Sequence, residues 1–266
     1  MEGDGVDDVA VVVLSCDKFE SLWPLFFERF YAHWPIANTV PLLVNNHKRY
    51  LGAHRDRVAN AALGPEVSWA DNLISSLRLI NSKYVLLLID DGPLRKDIAR
   101  KDLSDWVKTA EMHDLTYIGL KGTPTPQGCH LAGSQFAFMS AAQSYRAALV
   151  PSIWHRERLL EFLRPGESAW HFEIFGALRT AADPNFVGSR TKLIECDHVV
   201  IKGKIDRRLI RPLKAEGYLE SLDLPIMTWT EYIGCRVGEW RSALIKALVP
   251  DRVAQLLRLI KYRKLS

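Results

Sequence analysis

No stretch of this 266-residue sequence is apolar for long enough to cross a bilayer. The longest apolar runs, Val9 to Leu14 and Tyr84 to Ile89, are strand-sized, against the roughly 20 residues that a membrane helix requires. Cysteine is scarce: Cys16, Cys129, Cys196 and Cys235 are scattered with no CxxC pair, so they read as free thiols in a chain long enough to dispense with disulfides. With 16 glycines and 13 prolines the chain is neither collagen-like nor low-complexity. The first strand is not followed by GxGxxG, and GxxxxGK[ST], GxSxG and HExxH are missing. Dehydrogenase, P-loop, serine-hydrolase and zinc-hydrolase chemistry therefore recede. Glu2, Asp4, Asp7 and Asp8 stand where a signal peptide would carry basic residues and then an apolar stretch. A cytosolic protein is expected.

What is present is a foldable balance, 48% hydrophobic and 25% charged. The net charge of +4 hides an asymmetry, because residues 200–266 hold 14 Lys and Arg against 7 Asp and Glu. A basic end of this kind suits phosphate ligands or an anionic membrane surface. Within it, Pro250 to Lys264 places Val253, Leu256, Leu257 and Ile260 at i, i+3, i+4 and i+7 among Arg252, Arg258, Lys261, Arg263 and Lys264. That pattern predicts a basic amphipathic helix, either docked on the core or resting peripherally on the inner face of a membrane.

The first half alternates strand and helix signals. Asp8 to Leu14 is a β-branched run without alternation, as in a strand buried on both faces. Phe19, Leu22, Trp23, Phe26, Phe27 and Phe30 follow at helical spacing. Thr39 to Val44 predicts a second strand, Asp71 to Ile80 a helix, Tyr84 to Ile89 a third strand, Ser104 to Met112 a helix and Leu115 to Leu120 a fourth strand. Beyond the turn-rich stretch Lys121 to Gly133, Trp154 to Leu163 and Phe172 to Thr180 read as helices. The fold class expected is α/β, a mostly parallel, Rossmann-like mixed sheet flanked by helices with a C-terminal helical extension. Its division is a domain over 1–240, with a nucleotide-binding half over about 1–120 and an acceptor half over 121–240, followed by the helix in 241–266. In open α/β sheets ligands bind beyond the carboxyl ends of the strands. That rule nominates Ser15, Asp17, Asn46, Asp90 and Asp91 for one shared site.

Adjacent aspartates closing a buried apolar strand are costly to desolvate unless a cation or hydrogen-bond donors satisfy them. Asp90-Asp91-Gly92-Pro93 is also good turn chemistry, which leaves a solvated turn as the plainer alternative. The segment SWADNLISSLRLINSKYVLLLIDDGPL, Ser68 to Leu94, resembles the part of GT-A glycosyltransferases in which a nucleotide-contacting helix precedes the strand bearing a DXD-type motif. SIWHRERLLEFLRPGESAWHFEIFGALR, Ser152 to Arg179, is similar to the acceptor region of bacterial enzymes that build surface polysaccharide and lipopolysaccharide. The triplet here is Ile89-Asp90-Asp91 or Asp90-Asp91-Gly92, one carboxylate short of a strict DXD.

The resemblance implies transfer of a sugar from a nucleotide-diphosphate donor to a glycan or lipid-linked glycan acceptor. On that basis Ser15, Asp17, Asn46, Asp71 and Asn72 line the nucleotide site. Asp90 serves the ribose or the metal's water shell, and Asp91 is the direct ligand of Mg2+ or Mn2+, whose necessity the shortened motif leaves open. Glu173 is the catalytic base of an inverting transfer, with Glu167 in reserve. Trp154 and Trp170 offer apolar faces to acceptor sugars against the commoner core role of tryptophan. His198 is a possible third metal ligand, and Lys202 or Lys204 a counter-charge to the leaving diphosphate. No nucleic-acid partner is expected. Two other functions remain open at this point, a sugar nucleotidyltransferase and a catalytically degenerate glycan-binding or scaffolding domain.

Overall fold

A computed structural model describes residues 9–149, 151–248 and Val253. The described strands are β1 (Val9–Leu14), β2 (Leu42–Leu43), β3 (Ala59–Asn60), β4 (Tyr84–Ile89), β5 (Tyr117–Gly119), β6 (Phe136–Phe138), β7 (Ser152–His155), β8 (Phe186–Ser189), β9 (Val200–Ile201) and β10 (Lys204–Ile205). The described α-helices are α1 (Trp23–His33), α2 (Trp69–Arg78), α3 (Arg100–Met112), α4 (Arg156–Phe162), α5 (Ala169–His171), α6 (Ala177–Arg179), α7 (Ile210–Ala215) and α8 (Trp229–Leu248). Eight strands form one sheet in the order β3-β2-β1-β4-β7-β5-β8-β6. The β3-β2-β1-β4 block is parallel throughout. β7 runs antiparallel between β4 and β5, β5 pairs β8 in parallel, and β6 closes the far edge antiparallel. The result is the mixed, mostly parallel sheet flanked by helices that the sequence predicts.

The unbroken apolar runs of β1 and β4 are explained by burial on both faces. Alternate side chains of a strand point to opposite faces, and here each face carries its own core. Val11, Val13, Leu86 and Leu88 pack with Phe26, Phe27 and Phe30 of α1 and with Leu103 and Trp106 of α3. Val12, Leu14, Val85 and Leu87 pack with Leu73 and Leu77 of α2, Leu159 of α4 and Phe172. Each such side chain, fully buried, stabilises the fold by about 1.5–3 kcal/mol. α1 carries Pro24 in its first turn, where the missing N–H costs nothing. α2 starts at Ser68, whose hydroxyl accepts the Asp71 N–H.

Three expectations change. The strand expected over Thr39 to Val44 is confined to Leu42–Leu43, since Pro41 has no N–H to give the ladder. Trp154, expected in a helix, lies in β7, and the helix begins only at Arg156. A short apolar run fits either element, and the slot between β4 and β5 decides for the strand. The helix expected over Phe172 to Thr180 is interrupted by a π-helical stretch, Phe172–Gly176, lying between α5 and α6. The amphipathic pattern at Pro250 to Lys264 lies outside the described residues except for Val253, which is helical and exposed. No described helix is long and apolar enough to cross a membrane.

Candidate active site at the carboxyl ends of the strands

The β1–β4 register, Val9 opposite Tyr84 through Leu14 opposite Ile89, brings Ser15 beside Asp90 at the sheet's carboxyl edge. In the sheet order β1 is flanked by β2 and by β4, so the chain returns to both sides of it. A crevice opens at such a switch point. A cleft of about 180 Å³ lies there, lined by Ser15, Cys16, Phe19, Trp69, Asn72, Asp90 and Asp91 among others. Beside it a larger cavity of about 610 Å³ is lined by Asp91, Lys121, Gln143, Ser144, Tyr145, Glu173 and His198, with Thr123, Pro124 and Thr125. The two share Ile89 and Asp91.

Asp90 is buried and committed to a hydrogen-bond chain. The Trp23 indole N–H donates to the Ser15 hydroxyl at 2.7 Å, and that hydroxyl donates to the Asp90 carboxyl. Burial, reinforced by the charge of Asp91, pushes its pKa up to about 8 despite the Ser15 bond. Asp91 is raised to about 6 by burial, with the Lys121 charge opposing. Its Oδ1 is buried and has no hydrogen-bond partner among the described residues. The Asp91 carbonyl accepts the Val199 N–H at 2.8 Å, which lays residues 197–199 alongside the acidic turn and brings His198 to the same cavity. Burial, with the Lys121 and Lys192 charges, holds His198 down at about 4 and therefore neutral.

Across the cavity Glu173 stands on the π-helical stretch, the kind of local widening common at functional sites. Burial raises its pKa, while the Leu149 N–H, 3.2 Å from Oε1, and the Lys121 charge work the other way. Lys121 follows β5 directly after Leu120, and among the described residues it makes no ion pair. Its backbone turn depends on Gly122, at φ +74°, where a Cβ would come within 2.8 Å of the Thr191 carbonyl carbon. Gln143 Oε1 and Ser144 Oγ are buried polar atoms on the same wall with no partner among the described residues. They are acceptors and donors that a polar ligand would satisfy.

Ser15, Asn72, Asp90, Asp91, Glu173 and His198 thus converge on the two connected spaces. Others shape the walls instead. The Asp17 carboxylate accepts the N–H groups of Asn46, His47 and Lys48 at 2.9, 2.7 and 3.0 Å. Burial opposes that charge, but the three donors outweigh it and hold Asp17 below the usual carboxylate range. Asn46 and Asn72 exchange side-chain hydrogen bonds at 3.4 and 3.2 Å, and Asn46 also donates to the Gly64 carbonyl. Asp71 takes the Ser68 hydroxyl at 2.5 Å and the Gly166 N–H at 3.0 Å, lowering its pKa through the Ser68 bond first.

Several expected ligands are corrected by their surroundings. Trp154 is fully buried between Tyr117, Phe172 and Phe186 and donates to Ser152 Oγ, so no sugar reaches its face. Glu167 lines neither cavity and is held in a two-pronged pair with Arg179, both bonds 2.7 Å. Lys204 pairs with Glu231 at 2.5 Å, and Lys202 occupies the exposed β9–β10 turn; neither lines the cavities. Trp170 is 48% exposed, its ring 6.1 Å from that of Tyr145 at the larger cavity. Lys121 was missed by the sequence reading, although the strand-end rule that nominated Ser15 and Asp90 applies equally to the end of Leu115 to Leu120.

Among the described residues no three His, Cys, Asp or Glu side chains gather as a metal-binding group. Asp90, with its carboxyl buried against Ser15, is not the direct ligand in such a set. The orphaned Asp91 Oδ1, in the cavity that neutral His198 also lines, does fit a divalent cation of the kind that takes one or two protein ligands and completes its shell with substrate phosphates and water.

No protein-family model matches the chain, and no curated protein does. Among solved structures the chain is similar to S. aureus TarS, with a TM-score of 0.43 and 10% identity over 68% of this chain and 36% of that one. TarS 1-349 in complex with UDP-GlcNAc gives 0.41 and 9%, covering 68% and 57% of the two chains. TarS 1-349 in complex with UDP gives 0.39 and 10%, covering 68% and 59%. The chain therefore spans between about a third and three fifths of the length of these structures.

Proposed function

We propose that this protein is a GT-A-like glycosyltransferase that moves a sugar from a nucleotide-diphosphate donor to a hydroxyl of a glycan or lipid-linked glycan, in surface polysaccharide synthesis. The observation that carries the reading is that Asp91 joins two cavities: a cleft at the β1–β4 switch point, and a larger space holding Glu173, Lys121 and His198. The cleft suits a flat nucleoside, with mostly apolar walls and Ser15, Asn72, Asp90, Asp91 and Glu66 as polar groups on its lining. The donor's diphosphate then lies at Asp91, where the Lys121 ammonium offsets its charge. The sugar extends into the larger cavity, and the acceptor enters past Trp170 and Tyr145.

In this reading Glu173 accepts the proton of the acceptor hydroxyl as the new bond to the anomeric carbon forms on the face opposite the departing diphosphate. The bond from that carbon to the phosphate oxygen breaks, and the electron pair leaves with the diphosphate. Lys121, partly buried on the cavity wall, stabilises that developing charge. When bound, Mg2+ or Mn2+ would be held by Asp91 with His198 beside it and would supply further neutralisation of the diphosphate. The raised pKa of Glu173 keeps it a stronger base than an exposed glutamate.

The test is a thermal-shift panel of UDP-, GDP-, dTDP- and CMP-sugars with and without Mn2+. A ligand selective for the native state at a hundred times its Kd adds about 2.7 kcal/mol of stability. One diphosphate sugar should raise Tm, more so with Mn2+, and Asn72→Ala should abolish the rise. If no diphosphate sugar shifts Tm, the reading is wrong.

A further inference from the structure

A surface helix ordinarily turns its apolar stripe toward the body of the protein. Over Trp229 to Arg241, α8 does the reverse. Trp229, Ile233, Val237 and Trp240 are 61%, 57%, 54% and 76% exposed. At 3.6 residues per turn they fall within a sector of roughly 80°. Of the partly buried residues of the same stretch, Glu231 and Cys235 lie on the opposite side, where Lys204 holds Glu231, and Tyr232 lies on the flank against the Trp229 ring. From Arg236 to Arg241 every residue is exposed, so this length of helix stands clear of the sheet domain. Val237 and Trp240, with Arg236 and Arg241, line a shallow groove of about 390 Å³. Arg207 lies 4.3 Å over the Trp229 ring.

We propose that this stripe docks on the surface of an anionic phospholipid bilayer, with α8 lying in the interface. Charge complementarity selects this occupant. The sequence over 200–266 carries 14 Lys and Arg against 7 Asp and Glu, of which 9 and 6 belong to residues 200–248. A second copy of the chain would bring the same basic excess against itself, whereas anionic headgroups neutralise it. Even with Arg236 partly neutralised by Glu239 at 2.6 Å, Arg207 and Arg241 flank the apolar residues. The composition of the stripe agrees: tryptophan, with an apolar ring body and one polar N–H, is the side chain that favours the membrane–water boundary. A transferase docked this way would meet a lipid-linked acceptor in two dimensions, although the docking itself is independent of the reaction assigned above.

The experiment uses the full chain and two vesicle preparations, phosphatidylcholine alone and phosphatidylcholine mixed with phosphatidylglycerol. Co-sedimentation and the wavelength of tryptophan emission report binding. The wild type should bind the anionic vesicles, with a blue-shifted emission that salt reverses, and bind the neutral ones weakly. Ile233→Ser combined with Trp240→Ser should lower partitioning by about tenfold or more. Both side chains are exposed, so an unchanged melting temperature and donor response verify that the double variant is folded. Three results would each overturn the proposal. The wild type prefers neither vesicle, or the double variant binds as well as the wild type and lipid contact belongs elsewhere in the chain, or the wild type is a dimer without lipid that the double variant disperses.

Discussion

Glu173→Gln tests the chemical assignment most directly, because the structure separates its effect on the fold from its effect on the reaction. The glutamine amide oxygen retains an acceptor for the Leu149 N–H, now 3.2 Å from Oε1, so the local fold persists. What is lost is basicity. A positioned general base contributes about 10²–10⁴-fold, or about 2.7–5.4 kcal/mol of barrier. With both substrates saturating, kcat should fall by roughly 10²-fold or more while the donor Kd is unchanged. The pH dependence adds a second signature. Burial raises the Glu173 pKa above the ordinary 4.5, so Glu173 contributes to the acid limb of kcat/KM above that value together with Asp91 at about 6, and the variant retains only the Asp91 part. The same shift acts on stability. The native state holds the Glu173 proton more tightly than the unfolded chain does, so this group's contribution is greatest below pH 4.5 and is lost as pH rises through the raised value. Glu173→Gln removes that slope and should be at least as stable as the wild type at neutral pH. A variant with wild-type kcat and an intact acid limb would refute the role of Glu173.

Four further outcomes follow from the same geometry. Asp91→Asn should lose most transfer activity and the Mn2+ effect on donor binding while remaining folded; unchanged activity that EDTA does not affect would remove the metal from Asp91. Lys121→Met removes the charge that lowers both Asp91 and Glu173, so the acid limb of the rate profile should move to higher pH as the donor KM rises. Glu167→Gln breaks the pair with Arg179 and should cost about 2 kcal/mol of stability with turnover per folded molecule retained; a loss of kcat without a loss of Tm would return Glu167 to the reaction. Trp154→Ala should cost about 3–5 kcal/mol through its cavity, whereas Trp170→Ala should leave Tm unchanged and raise the acceptor KM, and the reverse pattern would exchange their roles.

Much of the architecture was legible in local pattern. The apolar runs Val9 to Leu14 and Tyr84 to Ile89 specified strands buried on both faces, because no alternating polar residue was available to face water. The spacing of Phe26, Phe27 and Phe30 specified the helix that covers one of those faces. The strand-end rule then located Ser15, Asp90 and Asp91, since a polar residue closing a buried strand has nowhere to be except the rim of the sheet.

Individual side-chain roles were less accessible. Trp154 and Trp170 are the same residue type in one block of sequence, yet one fills the core between three aromatic rings and the other is exposed against Tyr145. Glu167 and Glu173 differ in whether Arg179 is within reach, and Asp17 in whether three backbone N–H groups converge on it. The sequence by itself determined the α/β class, the order of its first elements and the edge of the sheet where the two cavities open, because hydrophobic period and chain polarity are local properties. Only the tertiary structure decided which carboxylates are spent on partners and which face a cavity, that Lys121 shares the cavity of Asp91 and Glu173, and that the apolar stripe from Trp229 to Trp240 points outward. Those outcomes depend on contacts between residues distant in the chain, and on how much water each group loses when the chain closes around it.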